Sequence, residues 1–348
     1  MKKVLLVVLM VCLVAGIAFA RPGREGASTG GAVMAMATDV GGLGDKSFND
    51  GAYQGLLLAR DRLGAQVVVV ESKQQTDYIP NLTGLAEDGA RLVVAVGFLM
   101  EEAVKETATH NPDTYFAGID IGTNPGDPSN FQGVLFNEHE CGYLAGVLAG
   151  LLTQQYASAI PGKLNSQNTI GVVLGMLVPA VERYEVGFIA GARSVNPTVN
   201  VISVTTDSFT DQARGKEAAL AMIDQGADIV FHAAGQTGLG SINACDERGV
   251  LAIGVDIDQN AVAPNTVVTS AMKDIVQATY LVAESVANGT FAGGTQVYGI
   301  DRDAVGLAPF HGFDSQIPQA VKDRIAAAIA DMKAGRIRIP TSRAEINR

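Results

Sequence analysis

The sequence predicts an α/β protein built from two doubly wound, mostly parallel sheets. Three features of the chain predict it. Short apolar runs alternate with helix-length stretches almost from end to end. The runs are continuously apolar rather than alternating, which marks parallel strands covered by helices on both faces. The pattern restarts near residue 169, after the looser segment QYASAIPGKLNSQN, so one sheet gives way to a second. A chain of 348 residues is long enough for two such cores.

Taken in order, the chain opens with a basic MKK, an apolar VLLVVLMVCLVAGI and an AFA just before Arg21. These are the three parts of an export signal, expected over residues 1–20 and cleaved after Ala20. The apolar stretch is short of the ~20 residues a membrane span needs. Cys12 lies inside that stretch rather than at its end, which argues against a lipid anchor. Residues 21–30 read as a flexible lead-in. Strands are then expected at 32–38, 66–71, 92–97, 114–120, 169–175, 200–205, 228–233, 251–256 and 266–271. Helices are expected at 49–63, 98–109, 138–154, 180–194, 211–225, 237–248 and 272–287. No residue-level repeat is apparent.

Charge and cysteine usage exclude several function classes. The formal charge is −11, and loss of Lys2 and Lys3 with the signal takes it to −13. Such a chain offers no electrostatic footprint for nucleic acid or anionic lipid. Cys141 and Cys245 have no redox or zinc-type neighbours and read as separate buried thiols. The four histidines show no ligand spacing, so neither a metal nor a cofactor is expected. No G-x-S-x-G elbow, H-E-x-x-H motif or Cys–His nucleophile stands out, and the chain is read as a non-enzyme.

In doubly wound sheets, ligands gather at the carboxyl ends of the strands. The first strand ends in TDVGGLGDKSFND. This is not a phosphate loop: Asp45, not glycine, precedes Lys46, and a carboxylate there repels an anion. Gly42 and Gly44 fit a dinucleotide fingerprint, but Ser47 stands in place of its third glycine. The loop keeps Asp39, Asp45, Phe48 and Asn49, a set suited to a neutral flat ligand. Gly97 and Phe98 follow the third strand, and Asp120 ends the fourth. Phe231 ends the seventh, Asp256 and Asp258 close the eighth within GVDIDQ, and Lys273 follows the ninth. Carboxylates accept vicinal hydroxyls well, and aromatic rings stack on flat ones. Each residue also has an ordinary structural reading: Asp45 or Ser47 as a helix cap, Asp120 and Asp258 as turn formers, Phe231 as core, Lys273 as a solvated helix start.

The segments TDVGGLGDKSFND, FNEHECGYLAGVLAGLLT, ADIVFHAAGQTGLG, GVDIDQ and TSAMK, in this order and spacing, resemble the basic membrane protein family. Its members are substrate-binding proteins of ABC importers, the best understood being purine nucleoside receptors. The resemblance spans residues 31–315 and implies a type I periplasmic-binding-protein fold, two lobes joined by a three-segment hinge. It implies lobes of 31–135 plus 258–290 and of 136–257 plus 291–348. It further implies an extracytoplasmic location, a nucleoside ligand and a membrane permease as partner. On this pattern Phe48 and Phe231 would stack on the base, with Phe209 the alternate. Asp39 and Asn49 would read the base edge, Asp120 and Asp256 would hold the ribose, and Lys273 matches the lysine after TS. Val40 stands where some nucleoside binders place a polar side chain. Other readings are a sugar or flavin-like ring as ligand, a sensor presenting its ligand to a signalling partner, or a nucleoside hydrolase.

Overall fold

The computed structural model describes residues 31–346, so the expected export signal at 1–20 lies outside the described residues. The apolar runs become strands because they are rich in Val, Ile and Ala and end at Gly, Asp or Asn. In chain order the first half contains β1 (Val33–Thr38), α1 (Phe48–Leu63), β2 (Gln66–Glu71), α2 (Tyr78–Glu87), β3 (Leu92–Val96), α3 (Glu101–His110), β4 (Tyr115–Ile119) and β5 (Phe131–Phe136). Next come α4 (Glu138–Leu152), β6 (Thr169–Leu174), α5 (Pro179–Val195), β7 (Asn200–Thr205), α6 (Gln212–Asp224), β8 (Ala227–Ala233), α7 (Gln236–Arg248), β9 (Leu251–Asp256) and β10 (Val267–Lys273). The chain closes with α8 (Ile275–Ala287), β11 (Gly294–Tyr298), β12 (Val305–Leu307), α9 (Gln319–Lys333) and α10 (Arg343–Ile346).

Two six-stranded sheets result, ordered β11-β5-β4-β3-β1-β2 and β12-β10-β9-β8-β6-β7. All pairings are parallel except β12 against β10. Central strands such as β3, β6, β8 and β9 are buried at every residue, as their unbroken apolar runs require. Apart from the outer strands β11 and β12, the two sheets repeat one topology, so β4 corresponds to β9 and β5 to β10.

The chain passes between the lobes three times: from β5 to α4, from β10 to α8, and after β11. Backbone bonds tie the crossings side by side, Asn137 N–H to the Tyr298 carbonyl at 2.9 Å and Asp274 N–H to the Ala304 carbonyl at 2.8 Å. The expected lobe boundaries need correcting on this point. β10 belongs to the second sheet and β11 to the first, the reverse of the expected assignment. The cause is an exchange of strands: β10 extends the second sheet before the chain returns through α8, which packs on α1. The first lobe is therefore 31–136 plus 274–298, and the second 137–273 plus 299–346.

One helix contact bears directly on the cleft. The small residues of α4 and α5 let the two helices touch backbone to backbone. A Cβ on Gly146 would lie 2.0 Å from the Phe188 carbonyl oxygen, and one on Gly191 would lie 2.0 Å from that of Tyr143. This contact seats α5, whose start is set by Pro179 in the first turn. Cys141 and Cys245 are both buried and unpaired, as expected. Among the described residues, no helix is long and apolar enough to cross a membrane.

Candidate ligand-binding cleft

The carboxyl ends of both sheets face one cavity with about 580 Å³ of empty space, its mouth included. The first lobe contributes Asp39, Asp45, Phe48, Asn49, Gly97, Phe98 and Asp120. The second contributes Val181, Tyr184, Phe209, Asp256 and Lys273. The lining, a mostly apolar wall with a few convergent polar groups, suits a small organic ligand.

The loop between β1 and α1 is organised by its own carboxylates. Asp45 accepts from the backbone N–H groups of Ser47 (3.0 Å), Asn49 (2.8 Å) and Asp50 (3.1 Å), so it caps α1 while lining the cavity. Asp50 in turn accepts from the N–H groups of Gly44 (2.8 Å) and Lys46 (3.0 Å). The amides a phosphate would need are thus occupied by acid side chains, and Lys46 is exposed rather than in the cavity. Asp39 accepts from Gly41 N–H at 2.9 Å and from Asn49 Nδ2 at 3.1 Å. Burial lifts Asp39 to about 6 and Asp45 to about 7, against the pull of these donors. Gly97 sits at φ +116°, and a Cβ there would lie 2.7 Å from Asp39 Oδ2, so glycine is what lets the carboxylate approach β3. The Asn49 side chain donates to Asp39, while its Oδ1 is buried without a partner.

Lys273 is the hub of the opposite side. It is the last residue of β10 and buried, not the solvated helix start of the ordinary reading. Its Nζ lies 2.9 and 2.7 Å from the two oxygens of Asp120, 3.2 Å from Glu138 and 3.8 Å from Asp256. The same ammonium stands 4.7 Å from the centre of the Phe48 ring, within cation–π range. Arg183 holds the other oxygen of Glu138 at 2.6 Å. Asp256 accepts from Ser47 Oγ at 2.5 Å and from the Tyr184 hydroxyl at 3.1 Å.

Asp120 and Asp256 occupy equivalent places after β4 and at the end of β9. Both take the left-handed backbone region, with φ of +62° and +64°. Aspartate tolerates this conformation better than most residues, and such local strain gathers at functional sites. Burial pushes Asp120 up to about 7 and Asp256 above the usual carboxylate range, while Lys273 pulls both back. Burial also acts on Glu138, but Lys273 and Arg183 outweigh it and hold that carboxyl low. Three carboxyl groups face two cations, so the cluster has no cation left over for an anion beside the cavity. An anionic ligand is repelled there, and a neutral ligand bearing hydroxyl donors is favoured.

Most of the expected residues converge: Asp39, Asp45, Phe48, Asn49, Gly97, Asp120, Asp256 and Lys273 all line the cavity. Two do not. Phe231 lies two residues short of the end of β8, paired with Val172 and Ile253 in mid-sheet. It is fully buried against Phe188 and Tyr184, so it supports the cavity wall from behind. Phe209, the alternate, lines the cavity instead. Asp258 is exposed; it accepts from Asn260 N–H at 3.0 Å and pairs with His311 at 2.6 Å, a turn residue outside the cleft. Sequence reasoning missed Tyr184, Glu138 and Arg183, which sit on helices rather than at strand ends. Glu138 carried a signal, since FNEHE directly follows the strand that leads into the hinge.

The family model described as "ABC transporter substrate-binding protein PnrA-like" matches residues 32–340. The ABC transporter nucleoside-binding protein BmpA of Lactococcus lactis subsp. cremoris is 30% identical over 88% of this chain and 88% of its own. Basic membrane protein A of Borreliella burgdorferi is 31% identical over 88% of this chain and 87% of its own. Among solved structures, a solute-binding protein of an ABC transporter system from Aeropyrum pernix K1 superposes with a TM-score of 0.81 at 26% identity, covering 90% of this chain and 94% of that one.

Proposed function

Because this chain belongs to the Bmp family of PnrA-like ABC transporter substrate-binding proteins, we propose that it is the extracytoplasmic receptor of an importer and that its ligand is a purine nucleoside. The observation that carries the reading is the pairing of two chemistries across one cavity. On one side stand Asp39 and Asn49, with Asn49 Oδ1 buried and unpartnered, an edge that accepts the N–H groups of a base. On the other side stand Asp120, Asp256 and Lys273. A carboxylate has about four lone-pair positions, and Asp256 uses two of them on Ser47 and Tyr184. The other two match the vicinal hydroxyls of a ribose. Phe48 links the sides: it is the neighbour of Asn49 in the chain and its ring lies beside Lys273.

The magnitudes agree with specific binding. Stacking on Phe48 contributes roughly 1–3 kcal/mol by analogy with base–aromatic pairs. Each hydroxyl bond to a charged carboxylate contributes roughly 1.5–3 kcal/mol. The nucleoside-binding relative from Lactococcus supports the same ligand class. A free sugar would use the carboxylate side and leave Phe48 and Asn49 Oδ1 without a role.

Ligand contacts drawn from both lobes favour their closure, and the closed form docks on a membrane permease. The chain acts as a receptor, so nucleoside incubated with it returns uncleaved. The test is chemical identification of what the protein carries. Small molecules released by denaturing natively purified protein should contain a purine nucleoside in near-stoichiometric amount. Release of a hexose or a flavin instead would overturn the proposal.

A further inference from the structure

Four hydrogen bonds cross the cleft from second-lobe side chains to the loop between β1 and α1, or back. One of them, Ser47 to Asp256, involves a residue that lines the cavity. The other three do not touch the cavity from the second-lobe side. Gln236 Nε2 donates to the carbonyls of Gly41 (2.9 Å) and Leu43 (3.2 Å), and Gln259 Nε2 donates to the carbonyl of Lys46 (3.0 Å). Neither glutamine lines the cavity.

Gln259 is held for this contact from behind. Its Oε1 accepts from Val255 N–H at 2.9 Å and faces His232 Nε2 at 2.9 Å, and its own N–H donates to Ser270 Oγ at 3.0 Å. Because the amide nitrogen is committed to Lys46, Oε1 must be the acceptor, which fixes the proton of His232 on Nε2. Two glycines clear the space. A Cβ on Gly254 would lie 2.7 Å from Gln259 Oε1, and one on Gly238 would lie 1.9 Å from His232 Nδ1. Every bond within this set is internal to the second lobe except the one that leaves it.

We propose that Gln236 and Gln259, the latter oriented by His232, form a latch that closes the lobes without contacting ligand and so sets affinity without setting specificity. The inference rests on reading the cleft as the ligand site. All three acceptors are backbone carbonyls of the loop between β1 and α1, whose shape is already held by Asp45 and Asp50. Each bond exists only with the lobes together, and it therefore raises the closed population by the same factor for any ligand. The glutamines are positioning residues, distinct from Phe48 or Asp256, whose loss discriminates between ligands.

The test pairs an interlobe distance with affinities. Spin labels are placed at the exposed Lys73 and Thr210, one on each lobe, the native cysteines being buried. Gln236→Met removes two cross-cleft donors from a half-buried side chain at the start of α7 while keeping its bulk. With no ligand added, the label distances of the variant should shift toward longer values. Its dissociation constants for adenosine, guanosine and inosine should all rise by one common factor, about tenfold. Gln259→Met should act the same way, and His232→Phe should reproduce it through loss of the orienting bond. Unchanged distances overturn the latch, and so do losses that differ from one nucleoside to another. The distances are read without ligand, so a protein that binds no nucleoside would fail the functional reading while the latch is still judged on its own.

Discussion

Replacing Asp256 by asparagine separates the ligand role of the carboxylate from its structural one. The substitution keeps the volume of the side chain, and asparagine also tolerates the left-handed backbone at φ +64°. The Asn oxygen still accepts one of the two hydroxyls, Ser47 or Tyr184, that now bond to Asp256. What is lost is charge and one acceptor oxygen. One ligand hydroxyl bond falls from charged to neutral strength, about 1–1.5 kcal/mol, and the other loses its acceptor, about 1.5–3 kcal/mol, or about 2.5–4.5 kcal/mol in sum. That corresponds to a roughly 70- to 2000-fold weaker nucleoside. The fold should not suffer, because Lys273 and Arg183 keep Asp120 and Glu138 as carboxylate partners when Asp256 is neutralised. Calorimetric titration with inosine and with hypoxanthine, beside a thermal melt, reads both effects. The expected result is a selective loss of nucleoside affinity at unchanged or higher Tm. Equal losses for nucleoside and free base would refute a ribose role for Asp256.

Further outcomes follow from the same geometry. Phe48→Ala should weaken every nucleoside by roughly 1–3 kcal/mol in a titration while the melt stays close to wild type, since the ring is only partly buried. Gly146→Val should destabilise by roughly 3 kcal/mol or more in urea unfolding, because its side chain meets the backbone of α5. Asp39 is raised by burial to about 6 from 3.8, so the folded state binds more protons than the unfolded one between those values. Its contribution to stability is therefore fully present at low pH and is lost as pH rises from about 4 to about 6. Asp39→Asn should remove about 3 kcal/mol of this downward slope in urea melts, at about 1.4 kcal/mol per unit of pKa.

The fold was largely legible because the central strands are apolar on both faces and end in turn residues. Where that signal weakens, elements disappear from view. β5 reads FQGVLF, with Gln132 and Gly133 interrupting it, and β11 reads GTQVY, exposed at its first residue and polar in the middle. The helix α9 carries a legible signal, with Val321, Ile325, Ala328 and Met332 buried at helical spacing. The exchange of β10 and β11 between the sheets was not legible, because a local pattern says that a strand exists and not which sheet receives it.

The site divides along the same line. Positions at strand ends were found because topology alone places Asp39, Gly97, Asp120, Asp256 and Lys273 at the carboxyl edges. Phe231 was misplaced by two residues of register, enough to move a ring from the cleft into the core. Tyr184 and Glu138 reach the cluster from helices, and only the packing of α5 on α4 aims the tyrosine at Asp256.

The most direct test of the account is calorimetric titration of the refolded, ligand-stripped protein with adenosine, guanosine, inosine, cytidine, adenine and ribose. Saturable binding of the purine nucleosides at one site per chain, with adenine and ribose far weaker, is the predicted result, since each half of the ligand alone uses only one side of the cavity. Binding of ribose as tight as that of the nucleosides, or heat from none of the six, would contradict the claim that this cleft holds a base and its sugar together.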